Sequence, residues 1–224
     1  LDTCTLPIFN QGDVTRRFQA GKAISLHVFG DSLAQEVGYN AKHHYMSRLR
    51  VDTHEKELNK VCVSSNRATL SRPGSGHKVI IVENLRIAHK IWHTPVEEFK
   101  RQVDEYVTNY EKYIKNCFGA SPSNVIGIFY GGYPLHNQRD IPVKEQEEYW
   151  ITRDRMRLYD KIAWERLSKL PNWYYQDNRR ALDPYVEASW DGFHFLQVMN
   201  KIGGASKLMT AITLNIAFAA LGTL

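Results

Sequence analysis

Short apolar runs that alternate with longer amphipathic segments constrain the fold of this chain most. Residues 23–29, 77–84 and 124–130 are apolar, β-favouring runs, and each ends in polar or glycine residues. Segments with helical periodicity separate these runs. A chain that alternates strands with helices in this way forms a parallel sheet with helices on both faces. The sequence therefore predicts an α/β protein, with residues 1–224 forming one domain.

The same patterns locate the remaining elements. Helical periodicity and capping residues predict helices at 33–50, 94–114, 152–169 and from 196 onward. Shorter β-favouring runs predict further strands at 60–63 and 173–176. Glycine, proline and polar residues predict irregular segments at 1–22, 71–76, 134–150 and 177–193.

Polar sequences follow two of the predicted strands and precede the last predicted helix. GDSL occupies residues 30–33, directly after the first strand, and Asn84 ends the strand predicted at 77–84. DGFH occupies residues 191–194, in the loop before the final helix. Active sites of parallel sheets lie beyond the carboxyl ends of the strands. We therefore expect the serine, the asparagine and the aspartate–histidine pair to meet at one edge of the sheet.

These residue types suit a nucleophilic triad with an oxyanion hole. A serine hydroxyl is nearly inert at neutral pH until a base takes its proton, and His194 is the candidate base for Ser32. Asp191 is the candidate carboxylate that orients the histidine ring. Backbone N–H groups of the turn at Ser32 are candidate oxyanion donors. A structural alternative stays open for each residue: a helix cap for Ser32 and Asp191, a strand-end turn for Asn84, and a structural histidine for His194.

Residues 30–33 and 191–194 resemble the first and last sequence blocks of the GDSL/SGNH hydrolase superfamily. The resemblance implies a flavodoxin-like, three-layer α/β/α fold with a mainly parallel central sheet, and an activity that hydrolyses esters of lipids or sugars. It also implies that Ser32 is the nucleophile, His194 the base and Asp191 its partner. By the same resemblance, the Ser32 backbone N–H is one oxyanion donor, and Asn84 stands in for the asparagine of the oxyanion hole.

The middle of the chain departs from the family pattern. The usual glycine is absent before Asn84, and the best match to the second block, residues 65–68, also lacks one. The PC-esterase branch of the superfamily, which includes polysaccharide O-acetyltransferases, has a similarly divergent middle and conspicuous end blocks. The resemblance therefore extends to this branch as well as to the ordinary esterases.

We expect a serine-dependent acyl-ester hydrolase: an esterase, a lipase or a carbohydrate O-deacetylase. Two alternatives stay open, an O-acyltransferase that passes the acyl group to a glycan and a catalytically inactive binding domain that kept the fold. Asp31, Arg86 and Trp190 are candidate substrate contacts. No metal or organic cofactor is expected, because the histidines lack a further ligand cluster at metal spacing.

Charge and hydropathy restrict the partners. The net charge is +5, yet the basic residues are interspersed with acids and form no nucleic-acid tail, so no nucleic-acid partner is expected. The expected partner is the small-molecule or glycan ester that the resemblance to the hydrolases implies. The apolar stretch 208–224 is shorter than the ~20 residues of a membrane span. Its apolar residues recur at helical spacing, which favours a closing helix within 196–224 over a membrane anchor.

The three cysteines leave the redox compartment open. Cys4, Cys62 and Cys117 are too widely spaced for a zinc site or a Cys-x-x-Cys pair, and they allow either one disulfide or three thiols. The chain begins at Leu1 instead of methionine, as expected of a mature form or an excised domain, and a secretory location is favoured.

Overall fold

Five parallel strands form the central sheet. The computed structural model describes residues 24–45, 50–63, 78–132, 152–182 and 204–222. Within these ranges the strands are β1 (Ile24–Phe29), β2 (Arg50–His54), β3 (Lys78–Glu83), β4 (Val125–Gly131) and β5 (Trp173–Asp177). Their order across the sheet is β2-β1-β3-β4-β5, and every pairing is parallel. This is the flavodoxin-like order, so the predicted α/β fold is confirmed.

Helices cover both faces of the sheet. In the described ranges they are α1 (Ser32–Asn40), α2 (Leu58–Val61), α3 (Ile87–His93), α4 (Val96–Thr108), α5 (Tyr110–Phe118), α6 (Arg153–Leu167), α7 (Asn178–Leu182) and α8 (Gly204–Ala220). Ala41–Tyr45 continue α1 as a π-helical turn, and Pro122–Asn124 form a 3₁₀ turn before β4. The predictions for residues 1–22, 65–68, 71–76, 134–150, 183–193 and 196–203 lie outside the described residues.

The sheet separates two apolar layers, because successive side chains of a strand point to opposite faces. Leu26 and Val28 of β1 belong to the layer that α1 and α8 cover. Phe29 belongs to the other layer, with Val79 and Ile81 of β3, and α3 to α6 cover it. Because both faces of the sheet are buried, β1, β3 and β4 appear in the sequence as nearly continuous apolar runs.

The second strand differs from the prediction. β2 begins at Arg50, where the helix predicted at 33–50 was expected to end, and the predicted strand at 60–63 is wrong because α2 overlaps it. As an edge strand, β2 is only partly buried and lacks a continuous apolar run. The apolar character near residue 62 has another cause, because Cys62 is buried and disulfide-bonded to Cys117.

The long helix predicted at 94–114 is two helices that meet at Asn109. The Asn109 Nδ2 donates a hydrogen bond to the Glu105 carbonyl at 2.9 Å, and an asparagine that bonds locally to the backbone competes with the helical ladder. Thr94 follows α3, a helix that the sequence did not predict, instead of capping α4. Similarly, α7 occupies the start of the segment predicted as a loop at 177–193.

A disulfide and the C-terminal helix complete the described fold. The bond between Cys62 and Cys117 joins the end of α2 to α5, with 5.3 Å between the two Cα atoms, and Cys4 lies outside the described residues. The helix α8 packs against α1 and β4. Among the residues described, no helix combines the length and the apolar character needed to cross a bilayer.

Candidate active site

The carboxyl ends of β1 and β3 lie side by side at the point where the strand order reverses. The chain proceeds from β1 to β2 on one side, whereas β3 lies on the other side of β1. Ligand sites of open parallel sheets lie at such switch points. Ser32 follows β1 and Asn84 follows β3, so the structure brings these two predicted site residues to the same edge.

Ser32 is exposed at the first position of α1. The N-cap of this helix is Asp31, whose carboxylate accepts a hydrogen bond from the Leu33 N–H at 3.1 Å. The capping role that formed the alternative for Ser32 therefore falls to Asp31. A serine at the turn from a strand into a helix can present its hydroxyl beyond the sheet edge, where a substrate can reach it.

Gly30 allows the turn between β1 and α1 to approach Asn84. Its φ is +137°, which favours glycine, and its N–H donates to the carbonyls of His54 and Lys56 at 3.2 Å each. A Cβ at this position would collide with the Oδ1 atom of Asn84. Glycine is therefore required at position 30 both for backbone conformation and for space.

Three hydrogen bonds fix the orientation of the Asn84 amide. Its Oδ1 accepts from the backbone N–H of Asp31 at 3.2 Å and from that of Arg86 at 2.9 Å. Its Nδ2 donates to Asp31 Oδ1 at 2.5 Å. Because two N–H groups point at Oδ1, the other terminal atom must be the nitrogen. Within the described part of the chain, the second hydrogen of Nδ2 has no other acceptor and can serve a substrate oxygen.

The turn after β3 is left-handed. Leu85 has a φ of +53° and Arg86 a φ of +52°, and a left-handed conformation costs a non-glycine residue about 1–2 kcal/mol. Side chains of the two preceding residues satisfy the N–H groups of this turn. Glu83 Oε1 accepts from the Leu85 N–H at 2.8 Å, and Asn84 Oδ1 accepts from the Arg86 N–H. The turn therefore depends on side chains that also belong to the site.

Burial shifts the titration of the two carboxyl groups at this edge. It raises the pKa of Asp31, against the opposing effects of the Asn84 hydrogen bond and the His89 and Arg86 charges. Burial also raises the pKa of Glu83 to about 8, although the N–H groups of Leu58 and Leu85 favour its ionised form. Both carboxyl groups therefore hold their protons to higher pH than they would in water.

The predicted substrate contacts lie in different surroundings. Asp31 is buried beside Asn84, whereas Arg86 is half-buried at the start of α3. The Arg86 Nε is shielded from solvent and has no hydrogen-bond acceptor among the described residues. Trp190 and the predicted pair of Asp191 and His194 lie outside the described residues, so their roles stay predictions.

A second serine, histidine and aspartate lie together in the middle of the sheet. His27 Nε2 is 2.9 Å from Ser25 Oγ, and His27 Nδ1 is 3.5 Å from Asp52 Oδ2. Ser25 and His27 are both buried in β1, and the His27 ring packs against Phe118 with 4.8 Å between ring centroids. This group, which we call the β1 polar cluster, places a serine and an aspartate on either side of a histidine, as a triad does, but its serine and its histidine are buried.

Sequence reasoning did not assign a role to Glu83. The available signal was a carboxylate at the end of an otherwise apolar strand, where a charge is costly unless it has partners. The structure supplies two N–H partners to Glu83, and the nearby Glu57 is paired with Lys90 at 2.6 Å. The part of the chain that the structure covers contains no group of three histidine, cysteine, aspartate or glutamate residues arranged to hold a metal ion.

The chain was compared with known proteins by sequence and by structure. No protein-family model and no curated protein matches its sequence. Among solved structures, a candidate GDSL-like lipase from Parabacteroides merdae is similar, with a TM-score of 0.50, 14% identity, and coverage of 91% of this chain and 97% of that one. LAE5, an alpha/beta hydrolase from the Lake Arreo metagenome, has a TM-score of 0.48 and 16% identity, over 92% and 97% of the chains.

Axe2, an acetylxylan esterase from Geobacillus stearothermophilus, has a TM-score of 0.45 at 14% identity, with coverage of 88% of this chain and 95% of its own. At these identities the likeness is one of fold. The parallel sheet in the order β2-β1-β3-β4-β5 agrees with it, whereas membership of the PC-esterase branch stays a prediction. The protein thus has the α/β fold of the GDSL/SGNH hydrolases, as the GDSL sequence at residues 30–33 indicated.

Proposed function

We propose that this protein is a serine-dependent acyl-ester hydrolase in which Ser32 is the nucleophile. One observation carries the proposal: Ser32 is exposed at the switch point of the sheet, beside an asparagine whose amide is held in one orientation. An exposed hydroxyl next to a preorganised N–H donor is the arrangement that acyl transfer needs. The fold shared with a GDSL-like lipase supports the same reaction class.

In the proposed mechanism, Ser32 Oγ attacks the ester carbonyl carbon while His194 takes the hydroxyl proton. Asp191 holds the imidazole in the required tautomer and stabilises its protonated form. The negative charge that develops on the carbonyl oxygen is bound by the Ser32 N–H and the second Nδ2 hydrogen of Asn84. His194 then gives the proton to the departing alcohol, which leaves an acyl-serine.

Water completes the cycle. His194 removes a proton from a water molecule, the resulting hydroxide attacks the acyl-serine, and the acid leaves as Ser32 recovers its proton. Asp31 contributes indirectly, because its Oδ1 accepts a hydrogen bond from Asn84 Nδ2 and so keeps the Asn84 amide in place. The mechanism uses side chains, the Ser32 backbone N–H and water.

The Nε of Arg86 favours a substrate that carries a hydrogen-bond acceptor near the ester. Buried donors in proteins are nearly always satisfied, yet the Arg86 Nε has no acceptor in the described residues. We infer that an oxygen of a small-molecule or glycan ester, such as a carboxylate or hydroxyl, binds there. Arg86→Gln should then raise the KM for such an ester more than it lowers kcat.

Covalent labelling tests the nucleophile. The wild-type protein, Ser32→Ala and the matched control Ser25→Ala would each be treated with a fluorophosphonate probe, and the labelled peptide identified by mass spectrometry. We expect label on Ser32 in the wild type and in Ser25→Ala, and none in Ser32→Ala. Absence of label in a folded wild-type protein contradicts the proposal and favours an inactive binding domain.

A product analysis distinguishes hydrolysis from transfer. The enzyme would be incubated with short acyl esters, acetylated xylo-oligosaccharides and a long-chain ester, with and without a free glycan acceptor. Release of free acid at the same rate in both conditions supports a hydrolase. Acyl groups found on the glycan would assign the same acyl-serine to an O-acyltransferase.

The disulfide supports a location in an oxidising compartment. Disulfides persist in secreted proteins and in the secretory pathway and are rare in the cytosol. The bond between Cys62 and Cys117 closes a segment with a sequence separation of 55, so it should stabilise the fold by restricting the unfolded chain. We therefore infer that the protein works outside the cytosol. Cytosolic expression that yields reduced, equally stable protein would argue against this inference.

A further inference from the structure

The Glu83 carboxyl group connects two segments at the active-site edge. It lies fully buried at the end of β3. Its Oε2 accepts from the Leu58 N–H at 2.9 Å, and its Oε1 accepts from the Leu85 N–H at 2.8 Å. One side chain thus ties the start of α2 to the turn that follows β3.

This turn determines where the Asn84 amide can lie. Leu85 and Arg86 are both left-handed, a conformation that side chains disfavour and that persists only when surrounding contacts hold it. The Arg86 N–H donates to Asn84 Oδ1, and the Ile87 N–H donates to the Asn84 carbonyl at 3.2 Å. If the turn relaxed, Asn84 would lose the N–H group of Arg86 that keeps its oxygen away from the substrate side.

We propose that Glu83 is a positioning residue that holds the left-handed turn at 85–86 and thereby aims the Asn84 amide at the oxyanion. This inference rests on the proposed function, because Asn84 acts as an oxyanion donor only if the protein is an acyl-ester hydrolase. Glu83 itself touches no substrate. Its role is to make the Asn84 donor available without reorganisation when the negative charge develops.

The surroundings of Glu83 contain further charges from neighbouring elements. Burial is the largest cause of the raised pKa of Glu83. The charge of Glu57, directly before α2, raises this pKa further, and the charge of Lys90 of α3 lowers it. Lys90 is itself paired with Glu57 at 2.6 Å. Burial raises the pKa of Tyr106 of α4, and the nearby Glu83 charge raises it further. A buried carboxyl group in this setting is costly, so a positioning role offers a reason for its presence.

Kinetics of two variants and a matched control test the positioning role. Glu83→Ala removes both acceptors, whereas Glu83→Gln keeps an oxygen that can accept from the Leu85 N–H. Ile114→Ala serves as the control, because Ile114 is fully buried in the same apolar layer but belongs to α5. All variants would be compared at equal folded fraction, measured by circular dichroism.

We expect Glu83→Ala to lower kcat roughly tenfold or more, with KM within about twofold, which is less than the loss of an oxyanion donor itself. Glu83→Gln should recover part of that kcat, and Ile114→Ala should leave kcat unchanged. A loss of kcat in Glu83→Ala no greater than in Ile114→Ala overturns the proposal. If Glu83→Ala does not fold, Glu83→Gln must still show the selective loss of kcat.

Glycine at position 86 gives an independent test of the left-handed turn. Glycine adopts a positive φ without the steric cost that arginine bears. We therefore expect Arg86→Gly to raise kcat when it is added to Glu83→Ala. This factor should be larger than the factor by which Arg86→Gly changes the kcat of the wild-type protein. Strictly additive effects would show that Glu83 does not act through the turn.

A readout without catalysis separates this inference from the proposed function. The side-chain amide resonance of Asn84, assigned with the Asn84→Asp variant, reports whether its hydrogens stay bonded and ordered. We expect faster hydrogen exchange of this amide in Glu83→Ala than in Ile114→Ala. Wild-type protein without Ser32-dependent esterase activity would refute the proposed function, and an unchanged Asn84 resonance in Glu83→Ala would refute the positioning role.

Discussion

The strand β1 serves two polar regions that each contain a serine and an aspartate and that differ in what they can do. The β1 polar cluster has Ser25 and Asp52 on either side of His27, at 2.9 Å and 3.5 Å. The switch-point site has Ser32 at the beginning of α1, with Asp31 and Asn84 beneath it. The cluster contains the residue types of a catalytic triad, yet its serine is buried in the sheet. The switch-point serine is exposed.

The difference teaches that a serine and an aspartate placed beside a histidine do not by themselves make an active site. Ser25 lies about 13 Å from the end of its strand, at about 3.3 Å per residue, and apolar layers cover it. Ser32 lies beyond that end and is exposed, and the Asn84 amide is hydrogen-bonded to the neighbouring Asp31. Access and a preorganised oxyanion donor distinguish a nucleophile from a structural serine.

Kinetics of the two serine variants should separate the regions most strongly. We expect Ser32→Ala to lower kcat at least about 10³-fold, because no acyl-serine can form. Ser25→Ala should keep kcat within about threefold, since its hydroxyl is out of reach of substrate. Initial rates on a short acyl ester measure both. Equal losses of kcat in the two variants would contradict the distinction between the two regions.

Removal of the oxyanion donor should have the next largest effect. Asn84→Ala should lower kcat about 10²–10³-fold with a smaller change in KM, as expected when a donor acts mainly on the developing charge. Asp52→Ala, in the β1 polar cluster, is the matched control and should leave kcat nearly unchanged. Retained kcat in Asn84→Ala would show that Asn84 is only a turn residue after β3.

The switch-point site should also affect how the free energy of unfolding changes with pH. Burial raises the pKa of Glu83 from 4.5 to about 8, so the folded state binds its proton more tightly than the unfolded chain does. The resulting stabilisation is complete below pH 4.5 and is lost as the pH rises through 8. We expect this group to lower the free energy of unfolding by about 2 kcal/mol between about pH 6 and 8.

Urea unfolding of the wild type and Glu83→Gln over this pH range measures the difference. Asp160, whose pKa burial raises to about 7, contributes to the slope of both proteins, so their difference isolates Glu83. A smaller slope in Glu83→Gln is the expected result. Parallel pH profiles of the two proteins would mean that Glu83 does not titrate in this range.

The smallest effect is expected in the β1 polar cluster. Ser25→Ala removes the buried contact with His27 and should lower the free energy of unfolding by about 1 kcal/mol. Thermal or urea unfolding measures this value. A much larger loss would indicate that the cluster is central to the stability of the sheet and not a local polar contact.

Much of the fold and part of the site could be predicted from the sequence. The strands β1, β3 and β4 are buried on both faces, so each appears as a continuous apolar run. The edge strand β2 was missed because partial burial leaves it without such a run. The break at Asn109 was missed because helical periodicity continues across it, while the backbone of this one residue, with φ −100° and ψ 6°, departs from helical values.

For the site, Ser32 and Asn84 were predicted because each directly follows an apolar strand. The role of Asp31 as the cap, and the role of Glu83, could not be predicted in the same way. Glu83 also accepts a hydrogen bond from Leu58, which is 25 residues away, and Asp31 accepts one from Asn84, which is 53 residues away. No local pattern records which distant N–H group or amide a carboxylate will meet.

By itself, the sequence determined the α/β class, the positions of β1, β3 and β4 along the chain, and the placement of a serine and an asparagine at strand ends. These properties follow from local hydrophobic periodicity and from the rule that parallel strands share one carboxyl edge. Only the tertiary structure decided that Ser32 is exposed while Ser25 is buried, and that Asp31 and Glu83 hold Asn84 and its turn. Burial and hydrogen bonding between distant residues exist only once the sheet has assembled, because chain folding creates both the low-dielectric interior and the contacts across it.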